Sequence, residues 1–257
     1  MTDMRNKKNN NMKDVRRYFL GIPLFLVLVA AGPARSDDIA SVKAMMWDGD
    51  FYEAAEIAAR LGGLEGFTLA AAALAIHGYE IAPESEKREH FLRAIDYAEK
   101  AIEIDPNSSE ASLQISHTLG RYAQTVGVAE ALSGGFAERT KAAMDKAVEL
   151  DPENVRAHLS IGSWHAEIVA AAGFMAKLLY GANEEDALLA YQRALELEPE
   201  SSTVHFEYAV GLMRLGDENL KLAKAHLEKA VSLPVKNAYD GIVREKALQN
   251  LAVLPKK

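Results

Sequence analysis

The chain has no cysteine, so its seven histidines, His77, His90, His117, His158, His165, His205 and His226, are the first place to look for chemistry. No two stand three or four residues apart, the spacing at which two imidazoles on one helix share a metal ion. His158 and His165 are seven apart, on one helical face but separated by about 10.5 Å along the axis. A shared ion there would need ligands from another helix, and the spacing instead suits a core position for His165 and a capping or solvated one for His158. Without cysteine there are no disulfides, Cys-ligated zinc, Fe–S clusters, thiol nucleophiles or lipid-modified N-terminal cysteine. Glu184-Glu185-Asp186 reads as a helix start favoured by the macrodipole. The charges from Glu84 to Arg93 read as a solvated helix face. No Gly-rich loop follows a strand, and no serine stands in a recognisable nucleophile motif. No catalytic residue, metal site or cofactor is expected, and a non-enzyme is the primary reading; an enzyme with an unusual site in the middle of the chain is a rival.

The elements that must position any site repeat along the chain. Lys100 to Pro106 reads KAIEIDP, Lys146 to Pro152 KAVELDP, Arg193 to Pro199 RALELEP and Lys229 to Pro234 KAVSLP. Aligned on Ala101, Ala147, Ala194 and Ala230, the residue seven positions on is Ser108, Asn154, Ser201 or Asn237, each a good N-cap. Each unit thus ends one helix, breaks near proline and caps the next. Three residues before each alanine sit Ala98, Met144, Tyr191 and Leu227, and seven before sit Ala94, Thr140, Ala187 and Ala223. That spacing is the buried stripe of one helix, with small residues that let a neighbour approach closely.

These residues resemble the tetratricopeptide repeat family, whose units are helix–turn–helix hairpins with small residues at such positions and a closing proline. The resemblance covers roughly residues 38–252. Ile161-Gly162 stands where the family has its Leu-Gly pair, with His165 at the usual tyrosine. Gly216 fits an inter-helix turn, and Gly49-Asp50-Phe51-Tyr52 with Ala54 looks like the same turn in a degenerate first unit. The implied fold is all-α, a right-handed superhelix of helix hairpins.

The alanine anchors lie 46, 47 and 36 residues apart, against a family period of 34 residues, so two units are elongated. The excess falls in residues 122–136 and 169–182, both apolar and rich in small residues. Gly134-Gly135 reads as a hairpin turn. Ala170 to Tyr180, in the second, carries only Lys177 as a charge, and both insertions are expected mainly to lengthen helices or add a short one and to pack against each other as extra core. Their other uses are a patch for a protein partner or for a membrane surface. The long units, with Gly162-Ser163-Trp164-His165 and Ala176 to Tyr180, are similar over roughly residues 95–200 to the regulator of microtubule dynamics proteins and related bacterial exported repeat proteins. That resemblance implies a helical-repeat adaptor.

Nearly half of the 257 residues are apolar and a quarter charged, enough for a real core. Residues 1–36 stand apart from the repeats. Arg5, Lys7, Lys8, Lys13, Arg16 and Arg17 precede an apolar stretch from Tyr18 to Ala31, and Ala34-Arg35-Ser36 offers small residues before a cut at Asp37. Fourteen apolar residues rise about 21 Å as a helix, short of the roughly 30 Å hydrocarbon core. The segment reads as a signal peptide, placing residues 37–257 in the periplasm; an uncleaved membrane anchor is the alternative. It holds seven of the 29 basic and two of the 37 acidic residues, leaving 22 and 35 and a formal charge of −13. Such a surface disfavours nucleic acid.

Hairpins of this kind stack because each has an apolar face it cannot cover alone, and the inner helices then line a concave groove. Counting from the N-caps places His117, Arg121, Ser163, Glu167, Phe206, Val210, Met213 and Arg214 toward that groove. Apolar anchors, two arginines and an acid suit a peptide with an acidic or C-terminal carboxylate feature. The expected partner is a protein or peptide, with no nucleic acid and no small-molecule substrate. Membrane contact would run through the N-terminal segment or the apolar insertions. The expected function is a non-catalytic scaffold or adaptor of the cell envelope; the alternative is a structural subunit that self-associates or assembles permanently into an envelope complex. Asn237 to Leu254 reads as a helix covering the open end of the stack.

Overall fold

The computed structural model describes residues 38–126, 130 and 134–255. Residues 1–37, with the expected signal peptide, residues 127–129 and 131–133 of the first expected insertion, and Lys256-Lys257 lie outside the described residues. The helices belong to one unit, which begins at Arg35.

The four expected caps set the phase. Ser108, Asn154, Ser201 and Asn237 each accept a hydrogen bond from the backbone N–H three residues on, at 3.2, 3.1, 3.4 and 2.9 Å. Each occupies one of the N–H groups that a helix start leaves unpaired. The described residues form twelve α-helices: α1 (Ile39–Asp48), α2 (Phe51–Leu61), α3 (Gly63–Glu80), α4 (Glu84–Ile104), α5 (Ser109–Thr125), α6 (Phe136–Leu150), α7 (Val155–Ala172), α8 (Met175–Tyr180), α9 (Glu184–Leu197), α10 (Ser202–Leu215), α11 (Leu220–Ser232) and α12 (Ala238–Val253). Gly49, at φ 99°, supplies the left-handed turn between α1 and α2.

All twelve residues of the repeated stripe, from Ala94 to Ala230, are buried. The pairs α1/α2, α3/α4, α5/α6, α7/α9 and α10/α11 are hairpins, and each outer helix also packs on the next inner one. The large core of the C-terminal half surrounds Tyr191, with Leu212, Leu227, Val243 and Ala247. A second core joins Val42, Met45, Ile57 and Leu74. Ion pairs between successive hairpins, such as Arg139–Glu99 and Lys229–Glu200, are solvent-exposed and each worth at most about 1 kcal/mol. Apolar packing therefore holds the stack together.

Two expectations need correction. The apolar stretch of the second elongated unit does not simply add core. Ala176 and Ala182 are buried beside Met144 and Trp164, with Tyr180 partly covered, but Phe174, Leu178 and Leu179 are 92%, 76% and 59% exposed. A six-residue helix makes under two turns, so it lays one face on α7 and leaves the opposite face in solvent. The second correction concerns the end of the stack. Helix α12 covers α10 and α11 with Val243, Ala247 and Leu254, as expected, but it also reaches back to α1. The inner helices α1, α3, α5, α7, α10 and α12 therefore form a closed circuit, each touching the next, and the expected open groove is a ring. At the seam a Cβ on Gly49 would stand 2.9 Å from the Ala238 Cβ, so the approach needs glycine there.

Candidate functional site

The inner circuit surrounds a cavity of about 1050 Å³ lined from all six of its helices. Seven of the eight residues expected in the groove line it: His117 and Arg121 from α5, Ser163 and Glu167 from α7, and Phe206, Val210 and Arg214 from α10. Met213 does not. It sits one position off the stripe shared by Val210 and Arg214 and packs against the Tyr191 core instead.

The charged groups in the cavity fall into two sets. Some are already paired: Arg214 with Glu167 at 3.1 Å, Lys246 with Glu80 at 2.7 Å, and Arg156 with Glu110. The others retain hydrogen-bonding capacity. The Arg121 guanidinium lies 3.6 Å from the centre of the Tyr79 ring and gives one hydrogen bond to Gln124 at 3.3 Å. Stacking uses its face and leaves edge N–H groups open. Burial works against its charge, but Tyr79, Glu207 and Glu167 more than offset this and hold its pKa above the ordinary value. Lys246 also lies over the Tyr79 ring, at 4.6 Å.

Glu207 lines the cavity, and its carboxyl makes no hydrogen bond or ion pair with another described residue. Burial raises its pKa, opposed by Arg121, Arg214 and Lys246 and reinforced by Glu167. Burial likewise raises the Tyr239 phenol, with Glu207 and Glu80 adding to it. His117 is pushed down to about 3 by burial and by Arg156 and Arg121, so it is neutral. Ser160 donates to the Arg156 carbonyl at 3.0 Å and therefore accepts from His117 Nε2 at 2.7 Å, which fixes the tautomer. Ser163 joins the Tyr191 hydroxyl at 3.1 Å, tying the wall to the core. The cavity thus offers a cation edge, a carboxyl and phenols, beside the Ser160–His117 pair, in which the serine hydroxyl is the acceptor.

Other histidines serve the framework. His165 Nδ1 accepts from the Asn183 N–H at 3.1 Å, and His158 Nε2 meets the Pro152 carbonyl at 2.8 Å. His205 and His226, distant in sequence, stand Nδ1 to Nδ1 at 2.9 Å. Among the described residues no group of three or more His, Asp or Glu is placed to hold a metal ion. No helix among them is long and apolar enough to cross a membrane.

Sequence reasoning missed Glu207, Tyr79, Glu80, Tyr239 and Lys246. Glu207 was within reach, since it lies three residues before Val210 and seven before Arg214 on one helical face. Tyr79 and Glu80 end an alanine-rich helix without a recognisable repeat signature. Tyr239 and Lys246 were hidden because α12 was read only as a cover.

Stacked hairpins around a lined concavity define an all-α helical-repeat protein of the tetratricopeptide type. The chain resembles a crystal structure of a thermophilic TPR protein from Thermus thermophilus, with a TM-score of 0.57 at 16% identity, over 82% of this chain and 95% of that one. Within that class the chain belongs to the regulator of microtubule dynamics protein 1-3 family, which matches residues 65–254. It is 31% identical over 125 residues to regulator of microtubule dynamics protein 3 of Rattus norvegicus, covering 45% of this chain and 26% of that protein. It is 26% identical over 180 residues to regulator of microtubule dynamics protein 1 of Bos taurus, covering 65% of this chain and 54% of that one. The chain thus spans between about a quarter and about half of these relatives' length.

Proposed function

We propose that the protein is a non-catalytic interaction scaffold that holds an extended peptide segment of a protein partner inside its ring of inner helices. The observation that carries this reading is the concentration in one cavity of groups with unused hydrogen-bonding capacity, Arg121 and Glu207 foremost. These groups stand on the wall of the cavity, where an entering partner meets them. An extended segment reaches the groups lined up on several inner helices at once. The basic and apolar run before Asp37 supports export, with the scaffold acting in the cell envelope. Microtubule dynamics appears in the names of the relatives; an exported chain would not meet tubulin, so only the adaptor role is carried over here.

The test is capture of envelope proteins by residues 37–257 and by its Arg121→Glu variant. Loss of the captured partner on reversal supports the cavity. An unchanged partner contradicts it. Arg214 is the weaker probe, because reversing it also strands Glu167.

A second reading, a self-associating structural subunit, is favoured by Phe174, Leu178 and Leu179 standing exposed together at α8. Light scattering across a concentration series separates the two readings. A dimer abolished by Leu178→Asp supports self-association, and a monomer at every concentration removes it.

A further inference from the structure

Trp47 stands in the last turn of α1, on the face opposite Val42 and Met45, which are buried in the second core. Its side chain is 55% exposed, and its indole makes no hydrogen bond, ring stacking or cation contact among the described residues. The contacts at the seam fix its surroundings. Gly49, two residues on, lies against Ala238 at the start of α12, and the Ser202 hydroxyl of α10 donates to Asp240 of α12 at 3.2 Å. The Ser201 N–H donates to the Glu198 carbonyl at 3.3 Å, which sets Glu198 in the turn before α10. Trp47 and Glu198 thus both border the start of α12, where they line one pocket of about 460 Å³. Trp47, Glu198, Ser201 and Asn237 line this pocket and the ring cavity alike, so the two spaces adjoin and the pocket lies at the mouth of the ring.

The groups around the pocket differ in what they have left to offer. Ser201 and Asn237 are spent as helix caps. Asp240 accepts from Ser202 and from the Lys236 N–H at 2.9 Å, and Glu200 is paired with Lys229 at 2.9 Å. The Glu198 carboxylate is exposed and makes no hydrogen bond or ion pair among the described residues. Three carboxylates, Glu198, Glu200 and Asp240, stand against Lys229 and Lys236, which leaves one negative charge. The unspent groups are therefore an aromatic face and a carboxylate, on a body whose formal charge over residues 37–257 is −13. The field of such a body draws in cations. A guanidinium complements both groups at once: its plane stacks on an indole, and its edge gives paired N–H bonds to a carboxylate. An ammonium carries the charge without the plane.

Resting on the reading of the ring as a peptide site, we propose that Trp47 and Glu198 form a subsite at its mouth for an arginine side chain of the extended partner segment. The guanidinium lies on the Trp47 indole and donates to the Glu198 carboxylate. The scaffold thereby selects segments that present arginine where they enter the ring.

The probe is a set of mixed-sequence peptides, blocked at both ends and uncharged at every position but one. That position carries arginine, its neutral planar isostere citrulline, or lysine. Immobilised residues 37–257 should retain the arginine pool about tenfold better than the citrulline pool, with lysine between them. Trp47→Leu and Glu198→Gln should each bring arginine down to the level of citrulline and leave retention of the citrulline pool unchanged. Both side chains are exposed, and far-UV circular dichroism with melting checks that each variant folds. Arginine and citrulline retained alike, or an arginine preference that survives either substitution, would overturn the subsite and leave the peptide ring standing. Lysine retained as well as arginine would overturn the stacking on Trp47. Retention of no pool would overturn both the subsite and the ring reading.

Discussion

Tyr191 shows how one residue couples the wall to the core. Its ring is fully buried, stacks on Tyr208 at 5.1 Å, and stands against Gly162 and Gly211. A Cβ at Gly211 would lie 2.3 Å from that ring. Gly211→Ala gains about 1 kcal/mol of helix propensity but overfills the contact, which costs about 1–3 kcal/mol. The ring is held on all sides, so the clash wins. Urea unfolding should show a lower midpoint with an unchanged slope. His226 offers a second test. Burial, then His205, lowers its pKa from 6.5 to about 4. His205 Nε2 meets the Pro199 carbonyl at 3.0 Å, so His205 Nδ1 accepts from His226 Nδ1–H. A histidine whose folded pKa is depressed binds more protons when unfolded between these two values. Its contribution to stability is intact above pH 6.5 and is lost as the pH falls toward about 4. The melting temperature of His226→Gln should therefore fall less steeply over that window than that of the unsubstituted protein. Parallel pH profiles for the two proteins would contradict the assignment.

At the scale of elements, caps and stripes were legible in the sequence because they are local. Ser108, Asn154, Ser201 and Asn237 act on a backbone N–H three residues away, and the buried stripe follows from helical period alone. Removing one cap should cost about 1 kcal/mol, and Asn237→Ala is the informative case because α12 closes the ring. Faster amide hydrogen exchange in α12 alone, with α10 unchanged, is the expected signature. Ala194→Leu forces a larger side chain into a fully buried contact and should lower stability by about 1–3 kcal/mol in a urea melt. Helix α8 was less legible. Its apolar composition gives total hydrophobicity, whereas the number of turns decides how many faces can be covered, and Leu178 and Phe174 fall on the uncovered one.

Ring closure belongs to the whole molecule, and no local pattern announces it. The contact between Glu80 and Lys246 joins residues 166 positions apart. It depends on the curvature accumulated through five hairpins, which the period of a repeat does not encode. For the same reason Arg121 and Phe206 were recognised on their own helices, while Tyr79 and Lys246, which reach the cavity from opposite ends of the chain, were not. The Glu80 side chain is only 6% exposed, so Lys246→Ala strands a buried carboxylate at a cost of about 1–3 kcal/mol. Faster hydrogen exchange should then appear at the C-terminal end of α3 and in α12, the two helices the pair joins.

The central claim is that the cavity of the inner ring, and no outer surface, receives the partner. A chain without cysteine allows a photo-cross-linker to be placed on single introduced cysteines. Val210→Cys and Gln124→Cys place it in the cavity, Leu178→Cys on the exposed face of α8, and Glu196→Cys on an outer helix. With envelope extract as the source of the partner, the expected result is cross-linking from Val210→Cys and Gln124→Cys but not from the other two. Cross-linking from Leu178→Cys or Glu196→Cys with none from the cavity positions would contradict the claim.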